Sequence, residues 1–347
     1  MKNRHLRYLT GLLVLLTLLF SGKVASAHFD SAYWHEGEVS YDASNWMNSL
    51  DDSKRLSQLS IPGTHDSMAY TPTVLQNIVK TQTLSLENQL QAGIRYFDIR
   101  VKYNGNSFAI HHGLIYLGFS LDDVLDQFQT FLANHPRETL IVRINQEQSS
   151  ASDDQMEDLF QLYLNKYPDL FWDSSNQLQY NPLLKDVRGK VVLLSSVMSI
   201  TKGLSYRNVL SQDNYHLNTN WDLYQKWMAV KNHLIAANSG NENMIYLNHL
   251  SGSGGSFPYF VAGGRSSSGT YADRLLTGLT EPAFKNRYPE FPRVGKWRRF
   301  SSIAFEGTNA MTANFLEANP DYRRVGIVVA DFPGERLIQN IIDVNFR

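Results

Sequence analysis

The chain of 347 residues contains no cysteine. A small scaffold held together by disulfides is therefore excluded, and the fold has to depend on a buried core. Basic and acidic residues nearly balance, at 32 and 33, so the sequence lacks the positive excess of a nucleic-acid binder. The apolar run at residues 11–20 is shorter than the roughly 20 residues that a membrane-spanning helix requires. No other stretch is apolar enough to span a bilayer.

The first 27 residues have the three parts of a secretory signal peptide. Lys2, Arg4 and Arg7 precede the apolar run, and Ala25-Ser26-Ala27 supplies small residues for cleavage. We therefore expect a secreted, extracellular protein that begins at residue 28, with no transmembrane segment after signal cleavage. The remaining 320 residues carry 28 basic and 33 acidic side chains. That length suits one large α/β domain, and we expect residues 28–347 to form a single catalytic barrel domain.

Strand and helix patterns alternate along most of this region. Alternating or continuous β-branched and aromatic residues predict strands at 94–101, 108–112, 139–147, 190–195, 244–250 and 324–330. Apolar residues at helical spacing predict helices at 83–92, 121–134, 156–166, 224–238 and 309–318. Such alternation indicates parallel βαβ units, which fit either a closed barrel or an open doubly wound sheet.

Polar side chains lie near the carboxyl ends of these predicted strands. They are Arg100, His112, Asn145 and Asp331. Barrels of parallel strands build their sites at that edge, and Asp98 would face the barrel interior. We therefore predict the α/β class and a single irregular TIM-type (β/α)8 barrel, with residues 251–308 as its least regular, loop-rich part.

The segment Ser60-Ile61-Pro62-Gly63-Thr64-His65-Asp66-Ser67 is the most informative motif. Proline and glycine define a bend that presents His65 and Asp66 at the end of a strand. With Arg100 and His112, these residues suit transfer of a phosphodiester without a metal. One neutral imidazole accepts a proton, one imidazolium donates a proton, and the guanidinium holds the phosphoryl oxygens.

Each of these residues also has a structural interpretation. A histidine at a turn is commonly a hydrogen-bonding partner, and Asp98 with Arg100 could form a buried ion pair. A metal site is a second alternative, because His65, Asp66, Asp98 and His112 are possible ligands. Arg100 on the same face would repel a divalent cation, so we expect neither a metal nor any other cofactor.

Three blocks at matching spacing resemble a known family. The blocks Ser60–Ser67, GIRYFDIR at 93–100 and IHHG at 110–113, together with Asp331, are similar to the X domain of bacterial phosphatidylinositol-specific phospholipase C. The resemblance implies a distorted TIM barrel and an intramolecular reaction. In that reaction, the inositol 2-hydroxyl attacks phosphorus and releases diacylglycerol and inositol 1,2-cyclic phosphate.

The resemblance also implies a role for each matching residue. His65 would be the general base, oriented by Asp331, and His112 the general acid, assisted by Asp66. Arg100 would bind the phosphate in a calcium-independent enzyme. The residues expected to contact or support the substrate are Asp98, Asn145, Asp222 and Tyr224.

The sequence departs from the family pattern at two basic positions that contact the head group. A lysine of the family is replaced by Asn145, and an arginine falls near Ser195 or Ser196. Two alternatives therefore stay open: the same chemistry on another phospholipid or phosphodiester, or a non-catalytic lipid-binding barrel. The expected partner is a phospholipid at a membrane surface, bound transiently by a monomer and not involving nucleic acid. Aromatic residues near 251–260 and the segment Lys296–Phe300 are candidates for the surface that contacts lipid.

Overall fold

The computed structural model describes residues 31–33, 39–71, 75–174, 181–196, 202–269 and 271–347. The predicted signal peptide at residues 1–27 lies outside these ranges. No helix within them is both long enough and apolar enough to cross a membrane.

The strands are short, and many have few polar side chains on either face. In chain order they are β1 (Ile61–Thr64), β2 (Tyr96–Tyr103), β3 (Phe108–His112), β4 (Ile115–Ser120), β5 (Leu140–Gln146), β6 (Val191–Ser195), β7 (Leu204–Ser205), β8 (Leu210–Gln212), β9 (His216–Leu217), β10 (Tyr246–His249), β11 (Ser253–Gly254), β12 (Leu276–Glu281), β13 (Arg293–Trp297), β14 (Phe300–Ala304) and β15 (Ile327–Ala330).

The helices follow most of the predicted amphipathic stretches. They are α1 (Gln76–Val79), α2 (Leu86–Gln91), α3 (Leu121–Asn134), α4 (Asp153–Lys166), α5 (Leu184–Val187), α6 (Leu223–Ser239), α7 (Pro258–Gly263), α8 (Thr308–Ala318) and α9 (Glu335–Asp343). Short 3₁₀ helices lie at Trp46–Ser49, Leu56–Gln58, Tyr206–Asn208, Asn220–Asp222 and Val344–Phe346.

Helix α3 shows why the boundaries are where they are. Ser120 accepts a hydrogen bond from the backbone N–H of Asp123, whose carboxylate caps the N–H of Ser120 in return. Val124, Leu125 and Phe128 then bury one face of the helix. The observed bounds coincide with the predicted ones.

Eight parallel strands form the central sheet, in the spatial order β7-β6-β5-β2-β1-β15-β10-β8. This order follows the chain around a ring, which confirms the expected irregular TIM-type barrel. Within the described residues, no backbone ladder joins β7 to β8, so the barrel is open at that seam. The 3₁₀ helix Tyr206–Asn208 connects the two strands there.

The strand that carries His112 is not part of the barrel, contrary to the expectation. Strands β3 and β4 form an antiparallel hairpin on β2. Because β2 is eight residues long, its second half extends beyond β1 and supports this hairpin at the barrel mouth. His112 therefore reaches the mouth from the side.

The span 251–308 is more regular than predicted. Strands β12, β13 and β14 form a separate antiparallel sheet in the order β12-β14-β13, and α7 precedes it. The glycines and aromatic residues near 251–260 had suggested a lipid-facing loop, but Tyr259 and Phe260 are buried in α7, while Phe257 is exposed.

Buried apolar side chains form two clusters on either side of the barrel. One cluster joins β1, β2, β5 and β6 to α2, α3 and α4. The other joins residues of β15 to α6, α8, α9 and the three-stranded sheet. Together they fix the strand ends whose side chains build the mouth.

Candidate active site

The turn after β1 positions the first two candidate residues. Gly63 permits close packing of β1 on β2, because a Cβ atom there would lie 2.8 Å from the Tyr96 ring. Asp66 has a φ of 44°, in the left-handed region, so the chain reverses sharply after His65. The side-chain amide of Gln82 donates to the carbonyl oxygens of His65, at 2.7 Å, and Ala330, at 3.1 Å. The turn is therefore tied to the end of β15.

His65 is held between a carboxylate and a guanidinium. Its Nδ1 lies 2.8 Å from Oδ1 of Asp331, and its Nε2 lies 2.7 Å from Nη2 of Arg100. A guanidinium can only donate, so Nε2 is the acceptor and Nδ1 carries the proton. Burial has the largest influence and opposes protonation of this ring, but the charge and hydrogen bond of Asp331, together with Asp98, raise the pKa of His65 above its usual value.

Asp331 is itself fixed by its surroundings. It follows β15 and is 1% exposed. The amide of Asn309 on α8 donates to the carbonyl oxygens of Asp331 and Phe332, at 2.9 and 3.1 Å. The position of the carboxylate beside His65 is thus determined by two elements.

Arg100 is surrounded by three carboxylates. Its Nε and Nη2 donate to Oδ2 of Asp98 at 3.2 and 3.1 Å, its Nη1 donates to Oε1 of Glu147 at 2.9 Å, and its Nε lies 3.7 Å from Asp66. Burial lowers the pKa of Arg100, but these carboxylates raise it further than burial lowers it. The guanidinium is therefore a permanent positive charge at the centre of the mouth.

Asp98 is the buried anchor of this arginine. The carboxylate is fully buried, and it also lies 3.5 Å from Nη1 of Arg143 and accepts from the backbone N–H of Asp66 at 3.3 Å. Burial alone would raise its pKa, but Arg100 and Arg143 hold the pKa of Asp98 well below its usual range. The structure places Asp98 beneath Arg100, in the buried ion pair that the sequence had offered as one interpretation.

His112 is linked to Arg100 through the carboxylate of Asp66. Its Nδ1 is 2.7 Å from the carbonyl oxygen of Val79 and 3.1 Å from Oδ2 of Asp66. Both neighbours are acceptors, so Nδ1 carries a proton and Nε2 is the nitrogen able to exchange one. Neither oxygen of Asp66 has an aligned hydrogen bond, and burial raises the pKa of Asp66 although Arg100 and His112 oppose that effect.

The structure brings together five predicted catalytic residues and Asp98, and it places Asn145 beside them. Asn145 is opposite Arg100 in the β2–β5 ladder, and its Oδ1 accepts from Oγ of Ser196 at 3.2 Å. Asp222 and Tyr224 have other partners. Asp222 accepts from the backbone N–H groups of Asn218 and Thr219, and Tyr224 donates to Glu290.

Two residues at a strand end were missed. Asp213 and Tyr215 directly follow β8 and have the same Asp-x-Tyr spacing as Asp222 and Tyr224. Both line a cavity of about 400 Å³, and Tyr215 is exposed. The signal was present in the sequence, but β8 is only three residues long and gives no periodic pattern.

His249 and Glu147 were also missed. Each follows from the strand-end rule, since His249 ends β10 and Glu147 comes directly after β5. The ring of His249 lies edge-on to His65, with centroids 6.3 Å apart. Burial lowers the pKa of His249 to about 3, although Asp213 favours the charged form, so this ring is neutral.

Among the described residues, no group of three or more His, Cys, Asp and Glu is arranged to hold a metal ion. The carboxylates Asp66, Asp98 and Glu147 converge instead on the Arg100 guanidinium. The mouth therefore combines a histidine with an accepting Nε2, a second histidine anchored through Nδ1, and a fixed cation that contacts the first histidine and shares Asp66 with the second. These are the parts of a general acid–base site for an anionic group.

Comparison with known proteins identifies the class. Residues 59–196 match the family model for phosphatidylinositol-specific phospholipase C, X domain. A 1-phosphatidylinositol phosphodiesterase of Listeria monocytogenes is 35% identical, over 99% of this chain and 98% of that protein. A second, from Staphylococcus aureus, is 32% identical over 70% of this chain and 80% of that protein.

Solved structures agree with the sequence relatives. The phosphatidylinositol-specific phospholipase C from Listeria monocytogenes superposes with a TM-score of 0.65 at 30% identity, covering 88% of this chain and 99% of that one. A Staphylococcus aureus structure reaches 0.64 at 25% identity, covering 88% of this chain and 98% of that one. The chain therefore belongs to the phosphatidylinositol-specific phospholipase C family of enzymes.

Proposed function

We propose that the protein is a secreted phosphatidylinositol phosphodiesterase that forms diacylglycerol and inositol 1,2-cyclic phosphate. The observation that carries the proposal is that both histidines adjoin Arg100, His65 directly and His112 through the Asp66 carboxylate. Both rings are anchored through Nδ1, which directs the two Nε2 atoms to proton transfer. The close family relatives named as phosphatidylinositol phosphodiesterases support the same substrate.

The reaction assigns one proton to each histidine. The 2-hydroxyl oxygen of inositol attacks phosphorus and forms the new P–O bond, while its proton passes to Nε2 of neutral His65. The bond from phosphorus to the diacylglycerol oxygen breaks, and that oxygen takes the proton from Nε2 of the His112 imidazolium. Asp331 stabilises the charge that develops on His65, and Asp66 orients His112.

Arg100 would act on the phosphoryl oxygens. In the free enzyme its Nη2 donates to His65 at 2.7 Å. Binding of an anionic phosphodiester supplies a better acceptor for that donor. His65 Nε2 then becomes available to the substrate hydroxyl as the substrate arrives. Since Arg100 already supplies the positive charge among three carboxylates, we propose that no calcium ion takes part.

For the head group, we place the contacts on Asp213 and Tyr215 in preference to Asp222 and Tyr224. The former pair follows a barrel strand, whereas Asp222 accepts from the backbone of Asn218 and Thr219 and Tyr224 donates to Glu290. Asn145, at the level of Arg100, can hydrogen-bond a hydroxyl group. An aromatic ring and a carboxylate at the rim are suited to a polyol.

We infer that the tip of the β13–β14 hairpin contacts the membrane that carries the substrate. Trp297 and Phe300 are 63% and 40% exposed, and their rings stack at 6.1 Å. Lys296, Arg298 and Arg299 surround them. The sheet packs through Phe305 against Trp221 at the start of α6, on the side of the barrel where the strands end. Basic and aromatic residues together suit an anionic lipid surface.

Export and domain organisation complete the proposal. We propose that residues 1–27 act as a signal peptide and that residues 28–347 act as one monomeric catalytic unit without a cofactor. Edman sequencing of protein exported by a bacterial host, expected to begin at His28, tests the first point. Light scattering tests the second.

Phosphorus NMR of a phosphatidylinositol digest, recorded with EDTA present, tests the reaction directly. We expect the signal of a five-membered cyclic phosphodiester to appear as the substrate signal decays. Release of inositol 1-phosphate without that intermediate would argue against intramolecular attack. Activity that disappears with EDTA and returns with calcium would contradict the role given to Arg100.

A second candidate is the same transfer reaction on a different head group. The neutral residues Asn145, Ser195 and Ser196 at the ends of β5 and β6 favour it, because they offer no positive charge of their own. A panel of phospholipids in the same NMR assay separates the two. Binding to vesicles with no turnover on any phospholipid would instead support a non-catalytic barrel.

A further inference from the structure

A second arginine, Arg143, reaches the barrel mouth. It lies on β5 opposite Asp98 in the ladder, two residues before Asn145. Its side chain is 13% exposed, close to the 17% of Arg100. Both arginines are therefore partly accessible to solvent.

The guanidinium of Arg143 extends beyond the level of its own backbone. Its Nε donates to Oγ of Ser196, which follows β6, at 3.4 Å. Its Cζ lies 4.3 Å from the centroid of the Tyr206 ring, which follows β7. The charged group is consequently at the carboxyl ends of β6 and β7, where a bound head group would lie.

Arg143 is positioned mainly by stacking and has hydrogen-bond donors to spare. Its two described hydrogen bonds, to Ser196 and to Oδ1 of Asp98, are 3.4 and 3.5 Å long, at the limit of such interactions. A guanidinium has five N–H donors. Arg100, by contrast, makes contacts of 2.7–3.2 Å to His65, Asp98 and Glu147.

Tyr206 is itself fixed in a position suited to this stacking. Its hydroxyl lies 3.2 Å from Oγ of Ser211 and 3.5 Å from Nε2 of His249. The ring therefore fills the open seam between β7 and β8 and supports the flat face of the guanidinium. A stacked arginine keeps its N–H edge available for a ligand.

We infer that Arg143, supported by Tyr206, is a specificity-determining residue that donates hydrogen bonds to the hydroxyl oxygens of a polyol head group. This inference depends on the proposed function. It supplies a positive charge on the side of the mouth where Asn145, Ser195 and Ser196 are neutral. Arg143 lies two residues before Asn145 on β5, and its charge compensates for the neutral residues at these strand ends.

The test is Arg143→Met, which keeps much of the side-chain volume and removes the donors. We expect the KM for phosphatidylinositol in mixed micelles and the Kd for inositol 1-phosphate, from calorimetry, to rise about ten- to a hundredfold. Because Arg143 also contacts Asp98 beneath Arg100, kcat should fall as well, but by a smaller factor than the one by which the Kd rises. Arg143→Lys should recover part of the affinity.

Arg324→Met is the matched control. Arg324 also stacks on a tyrosine, with Cζ 5.2 Å from the Tyr246 ring, but it donates to carbonyl oxygens of Gly240 and Asn241 at the opposite end of the barrel. Its replacement should leave the Kd for inositol 1-phosphate unchanged. Thermal unfolding of each variant identifies any loss of folded protein.

Two results would overturn the inference. One is a fall in kcat with a shifted pH profile and an unchanged Kd, because that pattern means that Arg143 acts only through Asp98 and Arg100. The other is no measurable binding of inositol 1-phosphate to the unmodified enzyme. Binding that depends on Arg143, with no cyclic phosphate formed, would support the inference and contradict the proposed reaction.

Discussion

Nε2 of His65 accepts a hydrogen bond from Nη2 of Arg100 across 2.7 Å. The proposed base and the proposed phosphate-binding group are thus in direct contact in the structure without substrate. The contact keeps the imidazole neutral at the nitrogen that the proposed reaction requires. In the proposed reaction, the contact also links phosphate binding to activation of the base. When the guanidinium moves onto the phosphodiester, Nε2 of His65 becomes free to accept a proton.

The first prediction concerns the pH dependence of the base. Asp331 raises the pKa of His65, whereas burial and Arg100 lower it. The neutral base exists above that pKa, so the acidic limb of kcat/KM reports it. Asp331→Asn removes the carboxylate that raises the pKa of His65, so we expect the acidic limb to move to lower pH. The plateau should fall about 10²–10⁴-fold, since the ring orientation is lost.

His65→Ala serves as the control for that profile. It should lose turnover by at least the same factor at every pH, because no base is left to titrate. An Asp331→Asn limb that moves to higher pH, or does not move, would show that another group titrates on the acidic side.

The second prediction separates the acid from the base through the leaving group. His112 is expected to protonate the departing diacylglycerol oxygen, which is a poor leaving group without that proton. His112→Ala should reduce kcat on phosphatidylinositol about 10²–10⁴-fold. On an inositol phosphodiester with a nitrophenol leaving group, the loss should shrink to about tenfold or less. Equal losses on both substrates would remove His112 from the role of acid.

Asp66→Asn tests the orienting partner in the same pair of assays. Oδ2 of Asp66 lies 3.1 Å from Nδ1 of His112. The amide keeps the shape of the carboxylate but removes its charge. We expect a smaller loss than for His112→Ala, with the same dependence on the leaving group. An equal loss of turnover on both substrates would indicate that Asp66 acts through Arg100 and not through His112.

The third prediction concerns the geometry of Arg100. A lysine keeps the charge but replaces a planar fork by a single ammonium group. It cannot contact Asp98, Glu147 and the phosphate in the same arrangement. We therefore expect Arg100→Lys to lose about 10²–10³ in kcat, with a smaller change in the KM for micellar substrate. Near-normal kcat would mean that charge alone suffices.

Much of the candidate site could be predicted from the sequence, because ionisable residues at the ends of strands can be recognised there. Arg100 and Asp331 adjoin strands whose apolar pattern is clear, His65 and Asp66 follow a bend marked by Pro62 and Gly63, and parallel strands bring those ends together. The interpretation failed for the strand of His112. Its pattern is that of any half-buried strand, and only the long β2 shows that its partner runs antiparallel.

Sequence patterns do not reveal very short strands or the partners of a buried side chain, and this limited the other predictions. Strands β7 and β8 have two and three residues, which is too short for periodicity. Asp213 at the end of β8 was therefore not among the site residues predicted from the sequence. The buried pair of Asp98 with Arg100 was one interpretation of the sequence, whereas the further contact of Asp98 with Arg143 depends on the register of β2 and β5 and emerges only from the fold.

The fourth prediction concerns stability. Arg95 and Glu138 form a fully buried ion pair with 2.8 Å between Nε and Oε2. The guanidinium also donates to backbone carbonyl oxygens, among them those of Leu90 and Ser44. Removing one partner leaves a buried charge without compensation. We expect Arg95→Met to lower the free energy of unfolding in urea by about 3–5 kcal/mol.

Arg137→Ala provides the comparison for this pair. Arg137 contacts Asp52 at 3.1 Å, but both side chains are almost half exposed. Its loss should cost less than about 1 kcal/mol. If the two variants lose the same free energy of unfolding, the buried pair contributes no more than an exposed pair to holding the start of β2 against the loop before β5.

The last prediction concerns the hairpin tip. Trp297 and Phe300 flank Arg298, which has a φ of 52°, and Arg299 at the turn. Both aromatic rings can leave water without disturbing the core, because they are exposed. We expect Trp297→Ala combined with Phe300→Ala to reduce sedimentation with anionic phosphatidylcholine–phosphatidylserine vesicles about tenfold or more. Activity on vesicular phosphatidylinositol should fall with it, whereas activity on a soluble short-chain substrate should not.

Leu162→Ala is the control, since Leu162 is 61% exposed but lies on α4 without this cluster of basic residues. It should leave vesicle binding unchanged. Replacing Lys296, Arg298 and Arg299 by glutamine should weaken binding at low salt far more than at high salt, because charge attraction is screened by ions. If the double aromatic variant loses activity equally on soluble and vesicular substrates, the hairpin acts on the mouth and does not dock the enzyme on lipid.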